Sequence, residues 1–159
     1  MTATILTSSQ TNSFAVFREI LQGISAFTSV FAKAKFTENT RYFEDEPNPK
    51  SRSFPGYPVV VIDTDSDDER LAYKNAKQTN FVTRIMIYSD YFAEQNNGFL
   101  KSYMDAIIDY FNTNQGSLLR TYGIDEITIS KSRDRDEIAE AQLVVGTLTF
   151  NYVKRFDVE

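Results

Sequence analysis

The sequence predicts an α+β fold: a largely antiparallel or mixed sheet, helices packed on one face, and β-loops protruding from it. Three observations predict it. Two segments carry apolar residues at helical spacing. Four others have the β-branched and aromatic character of strands. The segments run in the order helix, two strands, helix, two strands.

Residues 1–12 are small and polar and are read as a flexible N-terminus; residues 13–159 form one α+β domain. Ser13 stands where a helix cap belongs, before FAVFREILQGISAF. Phe14, Phe17, Leu21, Ile24 and Phe27 recur there at spacings of three and four, and Gly23 weakens the middle. In TSVFAKAKF, Val30, Ala32 and Ala34 alternate with Phe31, Lys33 and Lys35, which fits either more helix or an extended segment. Residues 37–58 hold all four prolines, an acidic triplet and few aliphatics. So long a loop inside a compact domain is a floppy surface loop or a functional one that orders against a partner.

YPVVVID is too short for a helix and rich in β-branched residues, as a buried strand is. TNFVTRIMIYSDY sets Phe81, Ile85 and Ile87 on one face and Val82, Arg84, Met86 and Tyr88 on the other. These two strands are expected to pair antiparallel across a long, mostly acidic loop. Tyr88, Tyr91 and Phe92 then form an aromatic knot, expected to serve core or interface packing. Asn96 or Asn97 is expected to cap a second helix with a stripe of Leu100, Tyr103, Met104, Ile107, Ile108 and Phe111, ended by Gly116. GIDEITISKS and AEAQLVVGTLTFNYVKRF are the closing strands, with Val144, Leu148, Phe150, Tyr152 and Phe156 in one phase. Between them RDRDE alternates in sign and is expected to be a second protruding loop.

Composition bounds the chemistry. Histidine and cysteine are both absent from the 159 residues. The commonest general base, thiolate nucleophiles, disulfides and Cys-based metal sites are therefore unavailable to one chain. Catalysis would fall to carboxylates, Lys, Tyr or a hard metal ion, so a non-catalytic role is favoured. The net charge of −5 argues against a protein that grips nucleic-acid phosphates, though DNA passing by without being held fits it. The N-terminal residues lack the basic region of a signal peptide. The uncharged stretch 20–32 is 13 residues long and partly polar, too short to span a bilayer. A soluble protein without membrane contact, made in the cytoplasm, is expected.

Asp63, Asp65, Asp67, Asp68 and Glu69 crowd together where the first strand ends. The first three match the opening offsets of an EF-hand loop. Asp68 then stands where the turn needs glycine, and Lys74 where the bidentate Glu belongs. A solvated Asx-turn loop after a strand accounts for the string better. Asp105 and Asp109 share one helical face, again read as solvated. No Gly-rich phosphate cradle is present, and no catalytic, metal or cofactor site is expected.

The order helix, Pro-containing loop, FPGYPVVVI, charged loop, TRIMIYSD strand, capped helix and closing VVGTLTFNYVKRF resembles the tail terminator (tail completion, head-tail joining) proteins of long-tailed bacteriophages. The likeness spans roughly residues 13–156 and rests on order, length and strand character rather than on an invariant motif. It implies a homo-hexameric ring at the head-proximal end of the virion tail. That ring caps the tail tube, ends its polymerisation and meets the head connector. Its partners would be further copies of itself, the tail tube protein, the head-connector protein and DNA crossing the lumen without specific binding. Ring closure needs two different patches that fit each other. Asp63, Asp65, Asp67 and Asp68, or Arg133, Asp134, Arg135 and Asp136, are the candidates for the lumen or ring face. The alternatives are a tail tube or baseplate subunit, and a small enzyme holding magnesium or calcium on Asp63, Asp65 and Asp67.

Overall fold

A computed structural model of the chain describes residues 13–64, 79–90, 98–138 and 141–154. Its centre is a five-stranded sheet. The strands are β1 (Tyr42–Phe43), β2 (Val59–Thr64), β3 (Thr79–Asp90), β4 (Ile124–Ile138) and β5 (Ala141–Lys154). They lie in the order β1-β2-β3-β5-β4. β1 runs parallel to β2, and every other pair is antiparallel. The sheet is mixed but mostly antiparallel, and the predicted pairing of the two central runs holds from Val59↔Tyr88 to Thr64↔Thr83.

The helices are α1 (Ser13–Gln22), the single turn α2 (Ser25–Thr28), α3 (Phe99–Thr113) and α4 (Gln115–Tyr122). They cover one face of the sheet. Val16, Phe17, Ile20 and Leu21 of α1 and Leu100, Tyr103, Met104, Ile107 and Phe111 of α3 bury their stripes against Ile62, Phe81, Ile85, Ile87, Leu148 and Phe150. Rings dominate this core. Phe17 lies 5.9 Å from Phe111, 5.5 Å from Phe150 and 5.6 Å from Tyr152, spacings at which aromatic pairs add to simple burial. Phe27, Phe36 and Tyr103 form a second group, with Phe27 stacked on Phe36 at 4.9 Å. Gly146 lets α3 come close to β5: a Cβ there would stand 2.9 Å from both Leu100 Cδ1 and Met104 Sδ. Among the described residues no helix is long and apolar enough to cross a membrane.

Several expectations need correction. Ser13 does not precede the first helix but is its first residue, and it is buried. Val16 and Ile20 join the stripe, while Phe14 is only partly buried. α1 stops at Gln22 because Ile24 is extended, with φ −88° and ψ 97°, and α2 starts anew. The Ala/Lys alternation after it is neither helix nor strand but a 3-10 turn over Ala32–Ala34. Gly116 does not end the second helix; α3 closes at Thr113 and Gly116 lies inside α4. The terminating glycine is Gly123, whose φ of 71° suits the left-handed residue that closes α4. Asn96 and Asn97, Tyr91 and Phe92, and Phe156 lie outside the described residues. The largest correction is RDRDE: Arg133, Asp134, Arg135, Asp136 and Glu137 are not a loop but strand β4, paired with residues 142–146 of β5. Charges stand in a strand here because β4 is an edge, where charged residues are common.

β4 also contains a phase shift. Asp125 pairs with Val153 and Thr128 with Asn151, so three steps on β4 span two on β5. This β-bulge inserts one residue, and Glu126 sits in it at φ 51°. Ile124 and the partly buried Ile127 and Ile129 all reach the helix-side core because the bulge resets the alternation.

Candidate assembly surfaces

With one face under the helices, the surfaces left for partners are the outer face of the sheet, its two edges and its two ends. The outer face divides along the strands. At one end Val59, Val61, Tyr88, Leu143 and Val145 form a second apolar cluster, with Phe43, Phe54, Tyr57 and Met86 packed on it. The long segment 37–58 thus carries its own cover for this face. It holds a 3-10 turn at Asn39–Arg41, strand β1, and the Phe54–Tyr57 pair with ring centroids 5.0 Å apart. Arg41 ties its two ends together. The side chain is 9% exposed, and Nη1 donates to the carbonyl of Gly56 at 2.9 Å and that of Pro58 at 3.4 Å. Tyr42 Oη donates to the Phe36 carbonyl at 2.6 Å. Glu44, Asp45 and Glu46, next along the chain, are exposed.

Toward the other end the outer face turns polar. Exposed Thr128, Ser130, Ser132 and Asn151 sit there with half-buried Thr147 and Thr149. Asp63 and Arg84 face each other across β2 and β3, with Arg84 Nη1 3.6 Å from Asp63 Oδ2 and both side chains 52% exposed. A pair this open contributes little, roughly 0–1 kcal/mol. A shallow hollow of about 300 Å³ lies beside the bulge, lined by Glu126, Thr128, Asn151, Tyr152 and Val153. It offers a single carboxylate.

Among the described residues the expected site residues do not converge. Asp63 is on β2; Asp65, Asp67 and Asp68 lie outside the described residues. Arg133 and Asp134 are exposed on β4, and the alternation of a strand sends them to opposite faces. Arg133 pairs with Gly146, in the helix-side phase, while Asp134 pairs with Val145, in the outer-face phase. Arg135 and Asp136 continue the strand opposite Val144 and Leu143. Asp63 and Asp134 share the outer face but stand three strand spacings apart, each about 4.8 Å. Among the described residues no three acidic side chains gather as a metal ion would need. Asp105 of the other carboxylate pair faces Lys131 instead, at 3.7 Å.

Two polar groups escaped the sequence reading, Arg41 and Lys154. Lys154 is 2% exposed; its Nζ donates to Ser13 Oγ at 3.0 Å and lies 5.0 Å from the Phe81 ring centroid. Thr83 Oγ1 and Tyr152 Oη, 2.9 Å apart, continue this network, and Ser13 Oγ is 3.5 Å from Tyr152 Oη. It pins the start of α1 to β3 and β5. The VKRF string gave no sign of it, since a lysine near a chain end is ordinarily solvated.

Along the strands, the ends of the sheet are distinct. Register puts the close of β2, the start of β3, the close of β5 and the start of β4 together, through Thr64↔Thr83, Thr79↔Lys154 and Ile124↔Lys154. Thr64 and Thr79, on either side of residues 65–78, both lie at that end. The β4–β5 connection lies at the opposite end, where Asp90 pairs with Leu143 and Ile138 with Ala141. No protein-family model, curated protein or solved structure matches this chain.

Proposed function

We propose that this chain is a structural subunit of a bacteriophage tail, forming a ring that caps the tail tube, ends its polymerisation and joins the tail to the head connector. The observation that supports the reading most is the separation of the two hairpin connections. Thr64 and Thr79, which flank the acid-rich residues 65–78, lie at one end of the sheet, and Ile138 and Ala141 lie at the other. A subunit that meets a tube on one side and a connector on the other needs two unlike axial surfaces, and this topology supplies them. The order of helices and strands that resembles the tail terminators is a second support. The role needs no catalytic group, which suits a chain without histidine or cysteine. A metal-dependent enzyme built on Asp63 is less well supported, because that carboxylate already faces the Arg84 guanidinium. Calorimetric titration with magnesium and calcium tests that rival; a fitted site at millimolar metal would revive it.

The deciding experiment uses phage tails assembled without this protein. Tubes of uncontrolled length, or tails of normal length that fail to join heads, are expected. Normal tails that join heads normally would overturn the proposal. Absence of any tube at all would point instead to a tube or baseplate subunit.

A further inference from the structure

We propose that copies of this chain meet head to tail through the two opposite edges of the sheet, the Lys131 and Arg133 row of β4 docking on the acidic segment Glu44, Asp45 and Glu46 that follows β1 in the next copy. This rests on the ring reading and specifies its contact.

β1 and β4 are the outermost strands, so each keeps one side without a strand partner among the described residues. β4 carries both signs, but its face phases sort them, with Lys131 and Arg133 on the helix side and Asp134 on the outer side. Lys131 and Arg133 are exposed and share the helix-side phase of β4, while Glu44, Asp45 and Glu46 are exposed at the other edge. Their heights along the strands also match. Tyr42 pairs with Val60 and Phe43 with Val61, which brings Glu44 level with Ile62. Ile62 pairs with Ile85, Ile85 with Leu148, and Leu148 with Lys131. Glu44 and Lys131 therefore lie on one rung at opposite edges. By the same rungs Arg133 is level with Gly146, Ile87, Val60 and Tyr42. A neighbour placed edge to edge, with no shift along the strands, sets Lys131 against Glu44 and Arg133 against Tyr42, two residues before that carboxylate.

The symmetric alternative, β4 against β4, sets the same cations close to one another. Unlike patches make a heterologous contact, the kind that closes into a ring when the rotation allows. Lys131 already faces Asp105 at 3.7 Å, but that pair is half exposed and leaves the ammonium free to take a second carboxylate. Charges on an open edge also deter indiscriminate strand pairing. An acidic segment at matching height makes the deterrent selective, because an edge bearing carboxylates neutralises it and other edges do not.

The absence of cysteine makes the test clean. Ser130→Cys and Asp45→Cys chains, at positions that share one rung and one face in the proposed contact, are made singly and oxidised alone and mixed, at concentrations where the wild-type chain shows rings by negative-stain electron microscopy. Disulfide-linked dimers in the mixture, and none in either chain alone, are expected. Cross-linking of the Ser130→Cys chain by itself, or rings without any cross-link in the mixture, overturns the edge contact and leaves the ring reading standing. A wild-type chain that stays monomeric at every concentration overturns both. In parallel, the Lys131→Glu/Arg133→Glu chain, its folding checked by circular dichroism, is expected to associate about fivefold more weakly, the loss of the exposed Lys131–Glu44 pair. Adding Glu44→Lys, Asp45→Lys and Glu46→Lys to that chain restores association; failure to restore it counts against the contact.

Discussion

Single side chains here act mostly by what they exclude or satisfy. Burial holds the Tyr42 phenol well above the ordinary value of 10.0, against a smaller lowering by Arg18. Burial, and next the charge of Glu19, also raises Tyr122. A raised acid keeps its proton in the folded state where the unfolded chain releases it. That contribution is fully present below about pH 10 and is lost as pH rises beyond it. Denaturant unfolding across pH 8–12 is expected to show stability falling above about pH 10, with a shallower fall in Tyr42→Phe. The same slope in both would mean Tyr42 is solvated. Gly146 acts by absence. Gly146→Val drives methyl groups into Leu100 and Met104, and a loss of about 1–3 kcal/mol is expected in urea melts. An unchanged midpoint would mean that α3 does not sit so close to β5.

At the scale of elements, the bulge in β4 and the long segment 37–58 matter most. Glu126 occupies a left-handed conformation that glycine adopts without a Cβ penalty. Glu126→Gly is expected to raise stability by up to about 1 kcal/mol in thermal melts. Deleting Glu126 closes the bulge into a regular ladder that sets Ile127 opposite Tyr152 and keeps Ile124 and Ile129 in the core phase, so a change within about 1 kcal/mol is expected in the same melts. A loss of several kcal/mol would mean that β4 does not close into that regular ladder. In the long segment, Arg41, Phe43, Phe54 and Tyr57 are held by the hydrogen bonds and packing described above, while 44–46 and 50–53 are exposed. Hydrogen exchange in the isolated chain is expected to protect residues 41–43 and to leave 44–53 open, with 44–46 gaining protection on assembly. Equal exchange in both states would leave this segment without a role in assembly.

For the molecule as a whole, the fold sorts the surface into a helical side, an outer sheet face with its own aromatic cover, two charged edges and two unlike ends. Assembly through exposed charges is expected to weaken as salt rises, since such pairs are screened beyond about 10 Å at 0.1 M. Sedimentation velocity from 50 to 500 mM salt checks this, and rings indifferent to salt would point to an apolar contact instead.

Much of this architecture was legible from periodicity alone. The stripes of α1 and α3, the pairing of β2 with β3, and the phase of Val144, Leu148, Phe150 and Tyr152 all follow from which residues avoid water. Those signals are local: each is a repeat within one element, readable without knowing its neighbours. Tertiary structure alone decided the rest. RDRDE alternates with the period of a strand, but its charges read as a loop until β5 lies beside it on a sheet edge. β1 is two residues long and exists because β2 offers it an edge. Lys154 is buried because α1 closes over it, and Arg41 because the chain returns to it fifteen and seventeen residues later. The acids around Asp63 and the charges around Arg133 looked alike in sequence, as two charged segments following strands. Register separated them, because the height and face of a side chain in a sheet are set by its partners across the strands, which no single segment encodes.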